Sequence, residues 1–180
     1  MDRRKALSLT ATILGGSLVG SQLFLTGCKP IKKEFVAFTA ADLAFLNEVA
    51  DTIIPDTSSS RGAKAANIGD FMKTIVTDCY SEEEGRTFYK GISKIEAASA
   101  KAFDKSFMEL RSEERFQLLN KFDEEARMDK SDAKFFRMMK ELTLWGYFSS
   151  EIGTTEALRY NPVPGRYEGC IPYNNEPAWA

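Results

Sequence analysis

The sequence predicts an all-α protein, a bundle of about five helices followed by an extended C-terminal tail rich in aromatic residues and proline. Three observations predict it. Apolar residues recur at helical spacing from residue 39 to residue 150, and no segment shows the alternation of a half-buried strand. Four of the six prolines fall after residue 150, at Pro162, Pro164, Pro172 and Pro177, where helix and regular strand are both disfavoured.

The first helix opens at Thr39, with Asp42 three residues on as the acid of a capping box. Leu43, Leu46, Val49 and Ile53 share one face, and Pro55 stops the run. A polar loop, Asp56 to Gly62, leads to Asn67 as the cap of a second helix. That helix carries Ile68, Met72, Ile75 and Cys79 on one face, with Phe71 and Val76 beside them. Ser81 and Glu84 form another capping box before a third helix that carries Phe88, Ile92 and Ile95 and runs to about Ala102, weakened by Gly85 and Gly91. Ser112 starts a fourth, with Phe116, Leu119 and Phe122 inward. Ser131 starts a fifth, with Phe135, Met138, Met139, Leu142 and Trp145 inward. The tail holds Tyr160, Tyr167, Tyr173 and Trp179, too aromatic for a solvated linker, and should lie along a surface.

Composition narrows the functional classes. The chain has 180 residues and a net charge of −2, without the basic excess of a nucleic-acid-binding protein. It contains no histidine, which excludes Ser-His-Asp and Cys-His catalysis, His-ligated zinc and CxxCH haem attachment. Three isolated cysteines match no iron–sulfur spacing, and there is neither a GxGxxG nor a P-loop.

The N-terminus has the three parts of an export signal: a positive Arg3-Arg4-Lys5, an uncharged apolar run over residues 6–25, and small residues before Cys28. The run is diluted by Gly15, Gly16 and Gly20, which weakens it as a mature spanning helix. Arg3-Arg4-Lys5-Ala6-Leu7 resembles a twin-arginine signal, whose pathway exports folded proteins, and Leu25-Thr26-Gly27-Cys28 resembles a bacterial lipobox. The domains expected are therefore a signal peptide over 1–27, a tether over 28–38, a helical domain over 39–150 and the tail over 151–180. Cys28 would be lipidated and become the first residue of the mature chain, at the periplasmic side of a membrane. Loss of Asp2, Arg3, Arg4 and Lys5 would move the net charge to about −4.

Few residues inside the helical domain carry chemistry. Glu82-Glu83-Glu84 and Asp123-Glu124-Glu125 are consecutive on helices and splay apart, so they read as a charged helix start and a solvated face. Cys79, on the apolar face of the second helix, reads either as a buried thiol or as one half of a bridge to Cys170, the two thiols left after lipidation of Cys28. Trp145-Gly146-Tyr147-Phe148 cannot all face one core. Either both sides of that helix are buried within the domain, or one side meets a partner.

Three ordered blocks resemble the gluconate 2-dehydrogenase subunit 3 family. Thr52-Ile53-Ile54-Pro55, followed by Gly62-Ala63, is similar to its opening. The run from Leu142 through Trp145, Tyr147 and Phe148 to Glu151 is similar to its late block. Tyr160 with Pro164-Gly165-Arg166-Tyr167-Glu168-Gly169-Cys170 is similar to its terminal segment. The resemblance implies a non-catalytic accessory subunit that holds no cofactor and escorts a large FAD-dependent dehydrogenase subunit of the glucose-methanol-choline type. A haem-bearing cytochrome subunit often completes such complexes. Trp145, Tyr147, Phe148, Tyr160, Pro164, Gly165 and Tyr167 are then the expected partner interface. The alternative is a stand-alone envelope lipoprotein acting as a ligand-binding or scaffold module.

Overall fold

The computed structural model describes residue 5 and residues 36–163, 165–166, 169–170 and 172–179. Arg3, Arg4, Cys28, Pro164 and Tyr167 lie outside the described residues, and so do the export signal and the lipobox. Over residues 36–163, five α-helices follow in chain order: α1 (Ala40–Ile53), α2 (Ile68–Asp78), α3 (Glu82–Phe103), α4 (Ser112–Arg127) and α5 (Lys134–Ser149). Single 3-10 turns, Phe107–Glu109 and Ser131–Ala133, lead into α4 and α5. Among the described residues there is no strand, only an isolated parallel bridge between Arg159 and Trp179. The fold is the all-α bundle that the helical periodicity implies.

Local chemistry sets two of the helix starts. The Asp42 amide donates to Thr39 Oγ1 at 3.2 Å, and the Thr39 amide donates to Asp42 Oδ2 at 2.8 Å. Ser81 and Glu84 repeat this capping box at α3. The start of α2 is different from the expectation. Asn67 sits in the left-handed region at φ 51° and its side chain caps nothing. The cap comes from α1 instead, where Asn47 Oδ1 accepts from the Gly69 amide at 2.8 Å. Helix α2 ends at Asp78, so Cys79 leaves the apolar face and is exposed rather than buried. Beyond α5 the chain is not immediately extended: Glu151 and Ile152 stay helical and Gly153–Ala157 form a π-turn.

Helix α5 is the centre of the bundle and packs against α1, α2, α3 and α4. It buries Phe135, Phe136, Met139, Leu142 and Tyr147 against Leu46 and Val49 of α1, Met72 and Val76 of α2, and Phe88 and Ile95 of α3. Full burial of each such side chain contributes roughly 1.5–3 kcal/mol to folding. The approach of α3 to α5 depends on Gly91. A Cβ there would stand 2.3 Å from Cδ2 and 2.7 Å from Cγ of Phe135. The glycine that weakens α3 as an isolated helix is what lets the Phe135 ring reach it.

Charge as well as apolar burial fixes the α1–α4 side. Glu48 of α1 is 9% exposed and pairs with both Lys64 and Arg115. Arg115 also donates from Nε to Phe107 O at 3.2 Å and from Nη2 to Met108 O at 2.7 Å. Its side chain therefore occupies an inward position on α4, next to Leu118, Leu119 and Phe122. Phe116, one residue on, is turned outward and is 61% exposed, contrary to the inward place its spacing suggests.

Gly91→Ala tests the close approach. Overpacking against Phe135 costs about 1–3 kcal/mol, against a helix-propensity gain of up to about 1 kcal/mol. The variant is expected to unfold at lower urea concentration than the native chain, with an unchanged slope.

Candidate functional site

The side of α5 opposite its core face is charged at Lys134, Arg137 and Glu141 and turns apolar over its last turns. Leu144, Trp145 and Phe148 are 40%, 56% and 41% exposed, and their i, i+1, i+4 spacing places them along one stripe. The stripe is held rigid from beneath. Trp145 meets the Phe71 ring of α2 edge to face at 5.3 Å, and Phe148 meets Tyr147 at 5.2 Å. Gly146 makes the first contact available, because a Cβ at that position would lie 2.6 Å from the Phe71 ring. Near this surface, burial pushes the Tyr80 hydroxyl above its ordinary pKa, and the Glu141 and Glu84 carboxylates push it the same way.

Tyr147 behaves oppositely to its neighbours. It is 1% exposed, and its hydroxyl donates to the Arg61 carbonyl at 2.6 Å. The loop that carries Arg61 is closed by the Ala63 amide on Ile54 O at 2.9 Å and by the Gly62 amide on Asp56 Oδ1. No side chain fits at Gly62, where a Cβ would fall 2.6 Å from Ile54 O. From the other end, Glu156 in the π-turn accepts from the Arg61 amide and from Nε, each at 2.9 Å, and pairs with its guanidinium. These contacts join residues 54–63 to α5 and the turn after it.

The tail closes on itself through Arg159. Its amide donates to Ala178 O at 2.8 Å, its side chain pairs with Glu176, and its guanidinium lies 3.8 Å from the centre of the Trp179 ring. Tyr160 is 58% exposed. Gly165 is exposed at φ 69°, a backbone conformation that favours glycine. Cys79 and Cys170 are both exposed free thiols, so the bridge considered from the sequence is not formed. Among the described residues, no group of three or more acidic or cysteine side chains is placed to hold a metal ion, and no helix is long and apolar enough to cross a membrane.

Residues 40–165 match the profile of the family described as gluconate 2-dehydrogenase subunit 3. The chain belongs to this family. No curated protein and no solved structure gave a match. The family's name makes this gluconate 2-dehydrogenase subunit 3 chain one subunit of a dehydrogenase complex, associated with the other subunits of that complex.

The structure brings together two of the family-like blocks that are distant in sequence. The opening block, Thr52–Pro55 with Gly62 and Ala63, and the late block around Tyr147 are joined through the Tyr147–Arg61 hydrogen bond. Of the expected interface residues, Trp145, Phe148, Tyr160 and Gly165 are exposed, whereas Tyr147 is core. The correction has a plain cause: its hydroxyl has the Arg61 carbonyl to reach, and the ring is taken into the core. Sequence reasoning also placed Trp145 inward and missed Leu144. The available signal was that α5 has apolar residues on both faces.

Two outcomes follow for the gluconate 2-dehydrogenase subunit 3 domain. Tyr147→Phe leaves the Arg61 carbonyl without its donor and should cost about 1–2 kcal/mol in chemical denaturation. Glu156 is held below the usual carboxylate range, first by the hydrogen bond from the Arg61 side chain and then by that from its backbone. A depressed carboxylate contributes stability that is complete above its ordinary pKa and is lost as pH falls through the lower folded value. The melting temperature of the native chain should therefore fall more steeply than that of Glu156→Gln as pH drops below about 4.

Proposed function

We propose that this chain is a non-catalytic accessory subunit that exports, docks and membrane-anchors a flavin-dependent sugar or gluconate dehydrogenase subunit of the glucose-methanol-choline type. The flavin, and any haem, belong to the partner subunits. The observation that carries the reading is the rigid stripe of Leu144, Trp145 and Phe148, exposed on the central helix of a domain whose core is already complete. Contiguous exposed aromatic surface of this kind is costly in water and suits an interface, where Trp is a favoured anchor. Family membership supports a role inside a dehydrogenase complex.

The N-terminal sequence supplies the rest of the reading. A twin-arginine-like start suits the export of a folded, flavin-loaded partner, and the lipobox-like Leu25-Thr26-Gly27-Cys28 suits retention at the membrane. Diacylated Cys28 would hold the complex at the periplasmic side without a spanning helix.

Purification of the tagged full-length chain from detergent-solubilised membranes is expected to bring down a flavoprotein, seen by flavin absorbance. Trp145→Ser, at an exposed position, should lower that flavin yield by about tenfold or more. A yield unchanged in this variant would move the interface away from α5. Cys28→Ala should leave an unprocessed or soluble chain, and normal membrane retention would overturn the anchoring role.

A further inference from the structure

Phe116 is a large side chain that the fold leaves outside, away from the α5 stripe in sequence, and it stands between two grooves. On one side a groove of about 540 Å³ is lined by Asp51, Thr52, Pro55, Glu113 and Arg115. On the other a smaller groove of about 140 Å³ is floored by Thr52, Ile53, Leu119 and Phe136. Thr52 and Phe116 line both, so the two form one surface with an aromatic ridge.

The charges in the larger groove are not balanced. Arg115 is committed to Glu48 and to the carbonyls of Phe107 and Met108, and Lys64 is committed to Glu48 as well. No ion pair among the described residues reaches Asp51 or Glu113. Burial, first, and the neighbouring Glu48 and Asp56 carboxylates raise the Asp51 pKa, and the Lys64 charge and a hydrogen bond from its backbone partly oppose them. In the smaller groove the charges are spent. Asp123 takes Lys140 at 2.6 Å and Arg127 at 2.9 Å, which leaves an apolar floor.

A carboxylate pair beside an exposed aromatic face is complementary to a guanidinium or ammonium group, which can pair with the acids and lie over the ring. An apolar notch across the ridge is complementary to an aliphatic side chain. We infer that the ridge at Phe116 is a second docking site for the partner dehydrogenase subunit, taking a segment in which an Arg or Lys faces Asp51 and Glu113 and a nearby apolar side chain enters the notch beside Leu119 and Phe136. This rests on the accessory-subunit reading. The tether of this chain also holds Lys29, Lys32 and Lys33, and occupancy of the groove by it is an outcome that the test separates.

The test uses the full-length chain in its native cells with Phe116 replaced by photoreactive p-benzoylphenylalanine. Irradiation of intact membranes should cross-link position 116 to a dehydrogenase-subunit segment with an Arg or Lys within about four residues of the linked atom. Glu113→Gln should lower the adduct yield by about fivefold, and Asp51→Asn by a similar factor. Glu113 is exposed, so its variant keeps the test sound if Asp51→Asn perturbs folding. Linkage to residues 29–35 of this chain, to a second copy, to lipid, to an unrelated protein or to a segment without a basic residue would overturn the inference. So would the lack of any adduct, or an adduct indifferent to both variants. Flavin co-purification with the native chain is read in parallel. If flavin is recovered without the expected adduct, the Phe116 site fails and the accessory role stands. If no flavoprotein is recovered at all, the accessory role itself fails.

Discussion

One buried carboxylate governs much of this fold. Glu48 lies on α1 at a depth where a charge is tolerated only with partners, and it has two, Lys64 from the loop after α1 and Arg115 from α4. Arg115 extends the network to the carbonyls at 107 and 108 in the 3-10 turn, the first of which also accepts from the Leu110 amide at 3.3 Å. The 3-10 turn is pinned from the other side as well, by the Phe107 amide on Glu96 Oε2 at 3.1 Å and by Phe45 against the Phe107 ring at 4.9 Å. Removing both cations would strand the Glu48 charge in the interior, whereas the apolar contacts around it tolerate exchange more readily. The network also has a surface consequence. Because Arg115 must point inward, the helix is rotated so that Phe116 points out.

A second constraint operates at α5. As the helix that touches the other four described ones, it presents a core face through Phe135, Phe136, Met139, Leu142 and Tyr147, and its outer face is charged at Lys134, Arg137 and Glu141 before it turns apolar at Leu144, Trp145 and Phe148. The loop holding Arg61 and the turn holding Glu156 cover the part around Tyr147, and nothing in the domain covers Leu144, Trp145 and Phe148. Phe71 holds the Trp145 ring and Tyr147 the Phe148 ring, so little conformational freedom remains to be lost when the surface is covered. A mobile apolar patch of the same area would bind less well and aggregate more readily.

The elements were legible in the sequence where their causes are local. Thr39 with Asp42 and Ser81 with Glu84 are contacts three residues apart, and both form as the pattern implies. The failures share a different cause. Asn67 looks like a cap, yet Gly69 is capped by Asn47, 22 residues away in the chain. Phe116 and Trp145 fall at core spacing on their own helices, but Arg115 and Tyr147 take the inward places because each has a polar partner far off in sequence, Glu48 and the Arg61 carbonyl. Periodicity counts apolar residues and cannot register that a charged or hydroxylated neighbour has a stronger claim on the interior. Cys79 fails for a simpler reason, since the helix stops one residue before it.

These displacements bear on function because they run in one direction. Twice, where a polar group with a distant partner takes an inward position, the aromatic residue next to it is at the surface: Phe116 beside Arg115, and Phe148 beside Tyr147. A sequence selected only to fold could place a polar residue at 116 or 148 at little cost, since these side chains contribute little to the core. Phenylalanine at these positions, together with a supported Trp145, is surface chemistry that folding alone does not require. In a subunit of a dehydrogenase complex, the natural reading of such residues is that their burial is completed by another chain. The two aromatic surfaces then differ in kind. The α5 stripe is apolar and rigid and suits affinity, while the Phe116 ridge carries unpaired carboxylates and suits selection of one partner over others.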